Sequence, residues 1–138
     1  MRIMAIDYGD AHTGIAISDP TGLLAGFTTV INAYRPDRVT GQIALLAKEH
    51  RVERLVLGHP INMDGTRGPR SEKAQAMRQL LKETTGLPVV LWDERRTTID
   101  AHNILFNSGK NAKQRKKVVD AVAASLILEG YLTFKKSH

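Results

Sequence analysis

Apolar residues open the chain in three short runs separated by turn formers. Arg2-Ile3-Met4-Ala5-Ile6-Asp7 is a buried-strand pattern that ends in an acid. Tyr8-Gly9-Asp10 punctuates it, and Thr13-Gly14-Ile15-Ala16-Ile17-Ser18 reads as a second strand. After Pro20-Thr21-Gly22, residues 24–31 form a third. Connections this short favour antiparallel hairpins. The period then changes. Ile43, Leu46 and Ala47 recur at helical spacing in a helix expected over 37–50, just after Pro36. Arg54-Leu55-Val56-Leu57-Gly58 is a strand, followed by a loop from His59 to Gly68. Residues 70–85 carry Ala74, Met77, Leu80 and Leu81 on a helical period that stops at Gly86. Val89-Val90-Leu91-Trp92 is a strand running into Asp93-Glu94. Residues 97–107 have a helical pattern, 108–116 are polar and basic without an apolar anchor, and 117–134 form the last helix. The order β-β-β-α-β-α-β-α-α predicts an α/β fold, a mixed sheet covered by helices, in a single domain spanning 1–138.

Composition narrows the setting. A chain of 138 residues with 42% hydrophobic residues builds one core, not two. The absence of cysteine excludes a disulfide framework, a thiolate zinc site and a cysteine nucleophile, and fits a reducing cytoplasm. Asp7 interrupts the N-terminal apolar run before a signal-peptide core can form, and no run nears the ~20 residues of a membrane span. A cytoplasmic protein with no membrane partner is expected. Lys and Arg number 20 against 14 Asp and Glu, a formal net charge of +6. An excess of that size on a small chain suits an anionic partner, nucleic acid first.

Three acids stand where a carboxylate needs a reason. Asp7 ends an apolar strand, and Glu94, with Asp93 beside it, ends another. Asp120 stands in Val118-Val119-Asp120-Ala121-Val122-Ala123-Ala124, where only it and Ser125 are polar between 118 and 128. Carboxylates brought together from distant parts of a chain hold hard ions such as Mg²⁺ or Mn²⁺. A pair of such ions cleaves phosphodiesters by activating water and stabilising the leaving oxygen. Each acid also has a plainer reading. Asp7 before Gly9 suits a turn, Asp93-Glu94-Arg95-Arg96 suits a solvated charge cluster, and Asp120 in a first helical turn complements the dipole. The residues alone leave both readings open.

Four ordered segments carry a family resemblance. Asp7-Tyr8-Gly9 leading to Gly14-Ile15-Ala16-Ile17-Ser18-Asp19 is the first, and Val56-Leu57-Gly58-His59-Pro60-Ile61-Asn62-Met63-Asp64-Gly65 the second. Trp92-Asp93-Glu94-Arg95-Arg96-Thr97-Thr98 and Asp120-Ala121-Val122-Ala123-Ala124-Ser125-Leu126-Ile127-Leu128 complete the set. Together they resemble the YqgF family, described as Holliday junction resolvases and as pre-16S rRNA nucleases. The resemblance implies a ribonuclease H-like fold, a mixed five-stranded sheet with helices on both faces. It also implies that Asp7, Glu94 and Asp120 are the catalytic, metal-holding acids, with Mg²⁺ or Mn²⁺, two ions, as cofactor. Only one of Asp93 and Glu94 faces the site while strand alternation persists, and the motif favours Glu94. One departure stands out: His12 occupies a position where the family usually has arginine. A histidine lacks the bidentate guanidinium fork and is only partly charged near neutrality.

Candidate substrate contacts follow. Tyr8 is the aromatic nearest the proposed centre. His12 is either a phosphate donor or an ordinary loop residue. Asn62 either holds substrate or bonds its own loop, and Arg95 either binds the scissile strand or offsets the acids. Lys110, Lys113, Arg115, Lys116 and Lys117 put five cations within eight residues, with no acid between Asp100 and Asp120. That run leads into the segment bearing Asp120 and suits nucleic acid, although charge runs are commonly just solvated. Phe27, Phe106, Tyr131 and Phe134 read as packing residues. The expected activity is two-metal hydrolysis of structured nucleic acid, with maturation of the 5′ end of precursor 16S rRNA ahead of Holliday junction resolution. A junction resolvase needs two centres and hence a dimer; RNA trimming needs only a monomer, so a monomer or weak dimer is expected. A non-catalytic RNA-binding assembly factor is the alternative outside enzymology. Asp7-x-Gly9 with Gly14 also resembles the phosphate loop of sugar kinases and actin-like ATPases, but those proteins clasp nucleotide between two such domains.

Overall fold

The computed structural model describes residues 1–22, 25–59, 68–93 and 112–137, with 112–120 and 136–137 as backbone. Its strands are β1 (Arg2–Asp7), β2 (His12–Ser18), β3 (Ala25–Asn32), β4 (Val52–His59) and β5 (Val89–Asp93). Its helices are α1 (Pro36–Glu49), α2 (Pro69–Thr85) and α3 (Ala112–Ser137). The strands form one sheet in the order β3-β2-β1-β4-β5. β1 pairs antiparallel with β2, as does β2 with β3; β1 pairs parallel with β4, as does β4 with β5. The expected mixed five-stranded sheet is therefore present. The helix expected over 97–107 lies outside the described residues.

Local chemistry sets the helix ends. Pro36 and Pro69 occupy first-turn positions, where a missing N–H costs nothing. Gly86 ends α2 at φ 70°, donating its N–H to the Lys82 carbonyl at 3.0 Å. That left-handed backbone is one that glycine adopts without strain.

Strand alternation divides the core in two. Met4, Ile6, Ile15, Ile17, Leu55 and Leu57 point to the side covered by α1 and α2, where they meet Val39, Ile43, Met77 and Leu81. Ile3, Ala5, Ala16 and Val56 point to the other side and meet Ala124, Ile127, Leu128, Tyr131 and Leu132 of α3. Helices thus lie on both faces. Ile127 and Leu128 are fully buried, each contributing roughly 1.5–3 kcal/mol by leaving water.

One expectation needs correction. α3 begins at Ala112, not at residue 117, so Lys113, Arg115, Lys116 and Lys117 belong to the helix rather than to a connection before it. Asp120 is therefore the ninth residue of α3, and the first-turn dipole explanation for it fails. The polar stretch carries no apolar stripe, yet Lys, Gln and Arg are strong helix formers in their own right. Of the aromatics read as packing residues, Tyr131 is buried, whereas Phe27 and Phe134 are 39% and 44% exposed. Phe27 lies against the His50 ring and Phe134 against Trp92; Phe106 lies outside the described residues.

Candidate active site at the carboxyl end of β1

Asp7 is the last residue of β1 and shares the alternation of Ile3 and Ala5, so it stands on the α3 face, half-buried. Gly14 pairs with Asp7 on β2, and Gly58 follows Leu57, the partner of Ile6, on β4. Gly58 in turn pairs with Trp92 on β5. The carboxylate is therefore flanked on both neighbouring strands by positions without side chains, which leaves it reachable at the sheet end. His12 and Asn32 extend the same face on β2 and β3. They are paired across the strands, and His12 Nδ1 lies 2.6 Å from Asn32 Oδ1. A carbonyl oxygen only accepts, so Nδ1 carries the hydrogen. Asn32 carried no signal in the sequence; a strand-end Asn reads only as a turn former.

Asp93 ends β5 on the alternation of Val89 and Leu91, which face α1 and α2. It stands on the side of the sheet away from Asp7. Glu94, Arg95, Asn62 and Lys110 lie outside the described residues. Lys113, Arg115, Lys116, Lys117 and Asp120 are placed by the backbone of α3. The direction of α3 follows from its far end: Arg54 donates to the Tyr131 hydroxyl at 2.8 Å, and Lys135 Nζ lies 3.6 Å from the Met1 sulfur. The carboxyl end of α3 thus lies at the start of β1. Among the described residues no group of three His, Asp or Glu side chains is close enough to hold a metal ion.

Tyr8 takes the opposite direction from Asp7. It packs against the α1 and α2 cluster. Burial raises its phenol pKa, helped by the Asp10 carboxylate and opposed by Lys73. The phenol therefore keeps its proton, and its donor capacity, well above neutrality. His59 belongs to β4 rather than to the loop expected from 59 onward. It is buried, with Nε2 2.5 Å from the Ser71 hydroxyl, and so ties the end of β4 to the first turn of α2.

Comparison with known proteins agrees with this architecture. The model of a family described as "RuvX: Holliday junction resolvase" matches residues 1–134. A Halothermothrix orenii protein named "Putative pre-16S rRNA nuclease" is 42% identical over 135 residues, covering 98% of this chain and 96% of its own. A Bacillus subtilis protein of the same name is 42% identical over 134 residues, covering 96% and 97%. Thermus thermophilus RuvC, solved in complex with a Holliday junction substrate, superposes with a TM-score of 0.63 at 14% identity. That match covers 99% of this chain and 96% of RuvC, a likeness of fold, ribonuclease H-like in both.

Proposed function

The chain belongs to the family described as RuvX: Holliday junction resolvase, and from that premise we propose that it is a divalent-metal-dependent nuclease that trims the 5′ end of precursor 16S rRNA. The observation that carries the reading is Asp7: an acid at the end of a buried strand, on the α3 face, between two strands that bear glycine beside it. A turn-forming Asp needs no such clearing. The RNA substrate rests on the relatives named for pre-16S rRNA.

Hard oxygen donors suit Mg²⁺ or Mn²⁺, and the unshadowed Asp7 carboxylate fits that requirement. Asp7, Glu94 and Asp120 would hold two ions. Asp93 is set aside because it ends β5 on the other face, which leaves Glu94 as the second acid. Two features support Asp120. Position 120 shares the helical period of 124, 127, 128 and 131, the stripe of α3 that meets the sheet. It also lies fifteen residues before Lys135, about 22 Å of helix at 1.5 Å per residue. β1 spans about 20 Å at 3.3 Å per residue, so α3 runs back far enough to reach the edge where Asp7 stands. Bound ions supply charge neutralisation at the phosphate and a more acidic water. His12, oriented by Asn32, presents its second ring nitrogen to a phosphate on the same face. Lys113, Arg115, Lys116 and Lys117, with Lys110 and Arg95, attract and align the polyanion. Such a substrate puts the protein's work in the cytoplasm, and no described helix is long and apolar enough to cross a membrane.

The test is cleavage of labelled precursor 16S rRNA and of a synthetic four-way junction in Mg²⁺, Mn²⁺ or EDTA, with wild type beside Asp7→Asn. We expect metal-dependent cutting of the RNA that Asp7→Asn abolishes, with RNA binding in EDTA retained. Cutting of the junction alone makes the protein a resolvase acting as a dimer. Equal inactivity of both proteins, with salt-sensitive RNA binding, makes it an assembly factor.

A further inference from the structure

We propose that the cleft on the α1 and α2 side of the β1 end is a stacking site for one unpaired nucleobase of the substrate strand. The proposal rests on the nucleic-acid reading above and specifies the substrate: a strand with an unpaired nucleotide beside the cleaved bond. The cleft has a volume of about 380 Å³ and is lined by Tyr8, Tyr34, Pro36 and Leu80, with Asp10 and Lys73 at its rim.

Three observations point to a base. The first is Tyr34, which is 78% exposed, so its ring offers a large flat face to solvent. Aromatic faces in the open are the surfaces on which bases stack, whatever their sequence. The second is the rim. Lys73 Nζ lies 3.3 Å from Asp10 Oδ1, and both side chains are well exposed. An exposed pair of this kind contributes little to stability, so its donor and its acceptor are free to exchange one another for a base edge. The Tyr8 hydroxyl adds a second donor. The third is position. Tyr8 follows Asp7 directly, and the pleat sends the two side chains to opposite faces. Asp7 and the cleft therefore lie at the same end of the sheet on opposite faces, so a strand that folds over the turn from Tyr8 to His12 would carry the neighbouring base to the cleft. A base that leaves its stack in this way is unpaired.

The size of the cleft fits the same occupant. It holds one base with part of its sugar. It is too small for two turns of a protein helix about 10 Å across, and the net charge of +6 favours a polyanion over an acid-poor peptide.

Binding in EDTA tests this without cleavage. The probes are an RNA duplex with a single-stranded overhang carrying 2-aminopurine, at either end, and the blunt duplex of the same sequence. Wild type should bind the overhang RNA more tightly and quench its fluorescence. Tyr34→Ala should lose about tenfold in affinity for the overhang RNA, lose the quench and leave blunt-duplex binding unchanged. Tyr34→Phe should behave as wild type, because the ring and not the hydroxyl stacks. Equal binding of both RNAs by wild type, or equal weakening of both by Tyr34→Ala, overturns the proposal. Failure of the nuclease reading shows up separately: Tyr34-dependent overhang binding by a protein that cuts nothing sinks the catalytic reading and leaves the base site standing.

Discussion

A Cβ on Gly9 would run into the carbonyl oxygen of His12, so the turn after Asp7 closes this tightly only with glycine there. The obstacle is backbone and cannot rotate away. Gly9→Ala should therefore cost about 1–3 kcal/mol, the usual range for overpacking a fixed neighbour, read as a lowered urea midpoint. An unchanged midpoint would show that the turn relaxes freely. The motif residue next to the candidate acid is thus explained by space rather than by chemistry. Asp7 itself was legible in the sequence as an acid ending an apolar run, and alternation alone assigns its face once the run is a strand. The link between His12 and Asn32 was not legible, because it depends on the register of β2 against β3, twenty residues apart. The side of Asp93 could be read only after the strand had been aligned with its neighbour.

Among the described elements, α3 matters most to the site, because it is the described helix that covers the face on which Asp7 stands. Leu128 is fully buried at the centre of that contact. Leu128→Ala should destabilise the protein by about 2–5 kcal/mol, measured by chemical denaturation; a loss below 1 kcal/mol would mean that the helix is not seated as described. The strands and the ends of α1 and α2 were legible within a residue or two, since apolar runs, Pro36 and Gly86 mark them directly. The start of α3 was not. Its first turns are held by helix propensity without an apolar stripe, and a reading based on hydrophobic period has nothing to count there. That difference changes the chemistry too: a helix that starts at Ala112 removes the dipole explanation for Asp120 and carries Lys113, Arg115, Lys116 and Lys117 of the basic run.

At the scale of the whole molecule, the excess of cations governs how an RNA arrives. If the five cations from Lys110 to Lys117 each meet a phosphate, log affinity should fall with log salt at a slope of about −4, measured by binding titrations at several KCl concentrations. A slope near −1 would leave that run merely solvated. The topology has a consequence for synthesis as well. β1 leaves the ribosome well before α3, which packs on its second face and begins more than a hundred residues after Asp7. At the ordinary pace of translation that is about 5–20 s, during which α3 is not yet there to cover that side of the nascent sheet. The composition of the two sides suits that delay. Met4, Ile6, Ile15, Ile17, Leu55 and Leu57 line the side that α1 and α2 can shelter early, while Ile3 and Val56 share the side that waits with the smaller Ala5, Gly14 and Ala16. The late-closing surface is thus the less adhesive of the two, so an unfinished chain shows its neighbours the weaker of its apolar faces.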